Sequence, residues 1–129
     1  MDGKLFLGEY KSINDNGFNK LTGPKPDHFI QGITYFYVFN KMLKDGKFKH
    51  IKELDGFDQA EGIIFLYVNK NNSQFKEYKR LAADQAFINI IEKIQKIKDA
   101  TETKTLPDKT PDWCNSCSWR DKCKSNYNI

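Results

Sequence analysis

The longest apolar run of the chain, Ile63 to Val68, lies within Gly-Ile-Ile-Phe-Leu-Tyr-Val between Glu61 and Asn69. Successive side chains of a strand face opposite sides, so uninterrupted apolarity is the pattern of a strand buried on both faces of a helix-covered sheet. The cluster Asn69-Lys70-Asn71-Asn72-Ser73 is a turn, and Gln74 to Leu81 alternates well enough to return as a second strand. From Asp84 to about Ala100 the residues Phe87, Ile91, Ile94 and Ile97 form one apolar stripe at helical spacing. A hairpin followed by an amphipathic helix fixes the class as α/β.

The N-terminal half carries the same two signals in the reverse order of strength. Lys4 to Lys11, around Leu5-Phe6-Leu7, reads as a strand directly after the turn dipeptide Asp2-Gly3. A hairpin turn needs a strand on each side, so the chain reads as if it begins in the middle of a β-hairpin. Residues 12 to 25 are polar and rich in Gly and Asn, and are expected to form a loop. Pro26 and Asp27 suit a first helical turn, and Phe29, Ile33, Phe36, Tyr37 and Leu43 continue the helix to about Lys44, where Asp45-Gly46 ends it. Lys47 to Asp58 is a charged connector. There is no internal repeat and no low-complexity tract.

At 129 residues, 39% hydrophobic and with ten Phe, the chain has the material for one packed domain and not the composition of a disordered one. No apolar run is long enough to span a bilayer, and Met1-Asp2-Gly3-Lys4 lacks the order of a signal peptide, which makes the cytoplasm the default location. The net charge of +4 and pI of about 8.9 would suit a polyanionic partner. Only Arg80 and Arg120 are arginines, so contact with nucleic acid would rest on lysine and backbone groups rather than on arginine readout of guanine.

Within the first strand Glu9 and Lys11 are two residues apart and therefore share a face. A carboxylate can hold a hard divalent cation, and an ammonium beside it can position water or offset charge on a phosphate. In a chain with 21 Lys+Arg and 17 Asp+Glu the pair also arises by chance, and Glu77-Tyr78-Lys79 repeats it as solvent-facing charges. Gln31 and Tyr35, spaced i and i+4, share one face of the predicted helix, with His28 one turn earlier. That glutamine could bond a phosphate oxygen or orient Lys11, and the tyrosine could buttress it. His28 reads as a helix-start or surface residue, with contact to a phosphate as the lesser alternative, and His50 as a connector residue without a specific role.

Taken in order, Glu9-x-Lys11, the loop, a helix beginning Gly-Pro-Lys-Pro, and Gln31-x3-Tyr35 resemble the RecB-like branch of the PD-(D/E)XK nuclease superfamily. The hairpin from Gly62 to Leu81 looks like versions common in phage proteins. The resemblance implies a restriction-endonuclease-like mixed sheet flanked by helices. It also implies a DNA nuclease that uses Mg or Mn on single strands or ends, with a helicase or recombination protein as a further partner. It makes Glu9 and the Tyr10 carbonyl metal ligands, Lys11 the residue that positions water or stabilises the transition state, and Gln31 and Tyr35 the completion of the site. The family's metal-binding aspartate belongs on a strand before Glu-x-Lys, across a hairpin, and this chain has only Asp2, in the turn. The resemblance therefore implies a C-terminal fragment with little or no activity by itself.

Cys114-x2-Cys117-x5-Cys123, with Trp113 and Trp119 interleaved, resembles the cysteine-rich tail of iron–sulfur nucleases of the CRISPR-associated exonuclease type. Three thiols in a reducing compartment suggest a metal rather than disulfides, and thiolates suit a [4Fe–4S] cluster or, alternatively, zinc. The division expected is residues 1–104 for the partial nuclease core and 105–129 for the cluster-binding tail. A rival expectation from another class is a non-catalytic nucleic-acid-binding module with zinc on the cysteines.

Overall fold

The computed structural model describes residues 3–106 and 117–122. By compactness the chain divides into two units, Met1–Ile94 and Gln95–Ile129. The first unit is an α/β fold whose three-stranded mixed sheet has the order β1 (Phe6–Ile13), β2 (Gly62–Asn69), β3 (Phe75–Leu81). β1 and β2 are parallel, and β2 and β3 are an antiparallel hairpin. Parallel strands cannot be joined by a tight turn, and the long crossover between them is supplied by helix α2 (Pro26–Lys44).

One face of the sheet carries the core. Ile63, Phe65 and Tyr67 of β2 are fully buried there, with Ile33 and Phe36 of α2 and Phe87 of α3 (Gln85–Thr103) packed over them. Phe87 is edge-on to Phe36, with ring centroids 4.7 Å apart, and Phe29 bridges Phe65 and Phe87. Each such buried ring is worth roughly 2–3 kcal/mol of apolar transfer. Gly32 lets α2 lie this close, because a Cβ there would stand 2.8 Å from two atoms of the Phe65 ring. Gly62 serves β2 similarly, since a Cβ there would run into the Arg80 carbonyl of β3.

Three expectations change. The expected full burial of β2 holds for one face only: Ile64, Leu66 and Val68 point to the other side and stay partly exposed among the described residues. The stretch 12–25 is not all loop. β1 runs on to Ile13, and Asp15–Asn19 forms a short helix α1, because the Asn14 side chain caps the Gly17 N–H at 2.8 Å and Phe18 is buried beneath it. The α3 stripe is shorter than expected, with Phe87, Ile91 and Ile94 in or against the core and Ile97 58% exposed.

α2 starts at Pro26, with Asp27 in its first turn and Lys41 and Lys44 in its last, all favourable to the helix dipole. The connector after it contains one 3-10 turn, Lys52–Leu54, and is tied back where Ala60 N–H donates to Asn40 Oδ1 at 2.8 Å. In the second unit the end of α3 carries its own side-chain bonds, Gln95 to Asp99 and Thr101 to the Ile97 carbonyl, and Lys104 at φ 55° follows the helix end. No helix among the described residues is long and apolar enough to cross a membrane.

Candidate functional site

The strand period sets the site. Leu7, Glu9, Lys11 and Ile13 stand on the helix-covered face of β1, where Glu9 pairs in register with Phe65 and Lys11 with Tyr67. Lys11 Nζ lies 2.9 Å from Glu9 Oε1, and the side chains are 24% and 13% exposed. The same ammonium donates to Gln31 Oε1 of α2 at 2.6 Å, and Gln31 Nε2 donates to Tyr35 OH at 3.0 Å. An ammonium only donates, so it fixes which end of the Gln31 amide faces it and leaves the amide nitrogen for Tyr35. Four residues chosen from two separate segments of sequence thus form one continuous row: Glu9, Lys11, Gln31, Tyr35.

The row has free valences. Glu9 Oε2, one proton of the Lys11 ammonium and the Tyr35 hydroxyl proton have no partner among the described residues. The hydrogen bond to Glu9 holds Lys11 above the usual lysine range, against a smaller opposing effect of desolvation. Lys11 is therefore a fixed cation at neutral pH and not a proton acceptor.

The backbone adds one oxygen. Leu5 and Ile13 carbonyls accept from Glu61 and Lys70 N–H, so the odd-numbered residues of β1 turn their carbonyls toward β2. By alternation the Tyr10 carbonyl faces the opposite edge, which no strand among the described residues covers. The donors available for a divalent cation are then a carboxylate oxygen and a backbone carbonyl, which fit Mg or Mn in kind. No group of three His, Cys, Asp or Glu side chains is placed to hold a metal among the described residues. Asp2, Cys114 and Cys123 lie outside the described residues, and Cys117 is exposed.

Sequence reading missed the brace behind this row. Tyr67 is fully buried, and its hydroxyl accepts from Lys25 N–H at 3.0 Å and lies 2.9 Å from His28 Nδ1. The His28 and Tyr67 rings stack with centroids 5.6 Å apart. Burial pushes the Tyr67 phenol up, so it stays protonated. His28 stands in the first turn of α2, as expected of a helix-start residue, and is held there by Tyr67 rather than free at the surface. The signal was present: Tyr67 is the one hydroxyl in an otherwise hydrocarbon run and shares a face with Phe65. A second brace joins the loops, with buried Asn69 donating to Asp15 Oδ1 at 2.8 Å and accepting from Asn71 N–H. A third is Lys76, whose ammonium donates to the Phe18 and Leu21 carbonyls at 2.8 and 3.1 Å.

The repeat pair Glu77 and Lys79 stands exposed on the opposite sheet face, with Lys79 over the Phe6 ring at 4.2 Å, and His50 is exposed in the connector. What fold and geometry define is an α/β sheet with a Glu-Lys-Gln-Tyr row spanning its first strand and first long helix. Comparison of the chain with family models, curated proteins and solved structures finds no match.

Proposed function

We propose that the Glu9–Lys11–Gln31–Tyr35 row is one side of a metal-dependent DNA nuclease site in a restriction-endonuclease-like fold of the PD-(D/E)XK, RecB-like type. The observation that carries the reading is the unbroken hydrogen-bonded order of these four residues, joined at 2.9, 2.6 and 3.0 Å. Its substrate is DNA, at single strands or ends, in a bacterial or phage-infected cytoplasm.

Glu9 Oε2 and the Tyr10 carbonyl are the residues that would hold Mg or Mn. Such an ion, when bound, lowers the pKa of water and polarises a phosphodiester. Lys11 carries a permanent positive charge where negative charge develops on the phosphate, and Glu9 fixes its position. Gln31 restrains the ammonium from the α2 side and, through Tyr35, aligns a hydroxyl donor with it. Proton abstraction from water falls to no side chain of this row, because Lys11 is already protonated. One carboxylate supports slow hydrolysis at best, and the reading includes a second acidic ligand from outside the described residues. The cysteines Cys114, Cys117 and Cys123 are proposed to hold a [4Fe–4S] cluster, which iron and sulfide analysis of protein purified without oxygen would detect; one zinc per chain would replace that assignment.

The test of the site is Mn-dependent binding of single-stranded DNA, followed by fluorescence anisotropy. Affinity should rise with Mn in the wild type, lose that rise in Glu9→Gln, and fall at every Mn concentration in Lys11→Ala. Equal affinity in all three proteins, with and without Mn, would remove the reading.

A further inference from the structure

His28 and Gln31 are three residues apart on α2 and so lie one turn apart on the same face. Across from them, Lys11 and Tyr67 are register partners on neighbouring strands, on the same face of the sheet. Two rungs therefore join helix to sheet: Gln31 to Lys11 at 2.6 Å and His28 to Tyr67 at 2.9 Å. The first rung is the end of the row assigned above. The second has no part in that assignment, yet it fixes an imidazole beside it.

The protonation pattern of this second rung follows from satisfying a buried hydroxyl. Tyr67 OH already accepts from Lys25 N–H, and His28 Nδ1 is the one acceptor it has among the described residues. A buried hydroxyl proton is costly to leave without an acceptor, so the phenol donates to Nδ1 and the ring proton sits on Nε2. Nε2–H is then a donor without a hydrogen-bonded acceptor among the described residues. The nearest carboxylate, Asp27 Oδ2, is 3.8 Å away, beyond hydrogen-bond reach, and that side chain is 78% exposed. The His28 side chain keeps 19% of its surface open. Stacking on Tyr67 removes ring rotation as well, so the donor is held in direction and not only in identity.

We infer that His28 is a further substrate-contacting residue of this site, donating Nε2–H to a phosphate oxygen of the DNA strand beside the one met by Lys11, with Tyr67 as the positioning residue behind it. The inference rests on the nuclease reading and extends it by one phosphate along the strand. Lys11 supplies charge at the first phosphate; His28 supplies a directed N–H donor at the next.

The experiment measures binding of a short fluorescein-labelled single-stranded DNA to the full chain in EDTA, with thermal melts to verify folding of each variant. His28→Ala should weaken binding roughly tenfold, the scale of one hydrogen bond to a charged acceptor. Tyr67→Phe should weaken it by a similar factor, and the double variant by no more than the larger of the two. His28→Gln places an amide N–H near the Nε2 position and should bind within about twofold of wild type, a rescue that a purely structural histidine would not give. Long-range proton–nitrogen spectra should show the Nε2–H tautomer in the free protein. An Nδ1–H tautomer, or unchanged binding in His28→Ala and Tyr67→Phe while Lys11→Ala is weakened, overturns this inference and leaves the site reading standing. If Lys11→Ala binds as wild type too, both fall.

Discussion

Gly32→Ala tests how tightly the candidate site depends on the seating of α2. Placed at this mid-helix position, alanine is favoured over glycine by about 1 kcal/mol of helix propensity. Against that, its Cβ would stand 2.8 Å from the Phe65 Cε1 and Cζ atoms and 3.5 Å from Ile63 Cδ1. Carbon pairs prefer about 3.5–4.0 Å, so helix or ring must give by roughly 1 Å. The ring has little room to turn, since Phe65 is fully buried and Phe29 lies against it at 6.0 Å. Overpacking of this kind costs about 1–3 kcal/mol, which exceeds the propensity gain. A net loss of about 1 kcal/mol is expected, a fall in Tm of about 3–5 °C for a chain of this length. The assay is urea or thermal denaturation of four proteins: wild type, Gly32→Ala, Phe65→Leu and the double variant. Leucine lacks the two ring atoms, so Gly32→Ala in that background should be neutral or stabilising. A Gly32→Ala protein as stable as wild type, or an equal loss in both backgrounds, would refute the close seating of α2 on β2.

Gln31→Met keeps the bulk of the side chain but breaks both bonds of the row; because Gln31 is exposed, stability should fall by less than about 1 kcal/mol while Mn-dependent DNA binding by anisotropy falls several-fold. Lys11 is held above the usual lysine range by Glu9, so its contribution is fully present below the unfolded lysine value of about 10.4 and is lost as pH rises through the folded one. Urea denaturation between about pH 9 and 11.5 should show this loss in wild type and a flatter profile in Glu9→Ala. Asn69→Ala removes the partner of Asp15 and of the Asn71 N–H from a fully buried position, and should cost about 1–3 kcal/mol by the same method. Asn14→Ala removes the cap of α1 and should cost about 1 kcal/mol.

Much of the frame was legible because its signals are periodic. The alternation that puts Glu9 and Lys11 on one face and the four-residue step that puts Gln31 and Tyr35 on another are properties of strand and helix geometry. They survive without any knowledge of the partner element. The meeting of the two pairs, at Lys11 and Gln31, was one of two roles that spacing left open to the glutamine, and the order of motifs in the family resemblance favoured it. Non-periodic features were not legible. α1 is five residues in a polar stretch containing Gly17, and its formation depends on a cap from Asn14 and on burying Phe18 under β3 residue Lys76. The His28–Tyr67 rung joins residues 39 apart in sequence, and no local preference encodes it. The half-open second face of β2 could not be told from a covered one, because Ile64, Leu66 and Val68 are apolar in either case.

The most direct measurement of the central claim is a time course of cleavage of end-labelled single-stranded DNA by this chain in Mn, run beside Lys11→Ala and Glu9→Gln. Slow release of labelled fragments by the wild type, lost in both variants whose melts show them folded, is the result predicted by a Glu9–Lys11 site with one carboxylate. Fast cleavage by the wild type, or cleavage that persists unchanged in Lys11→Ala, would contradict it.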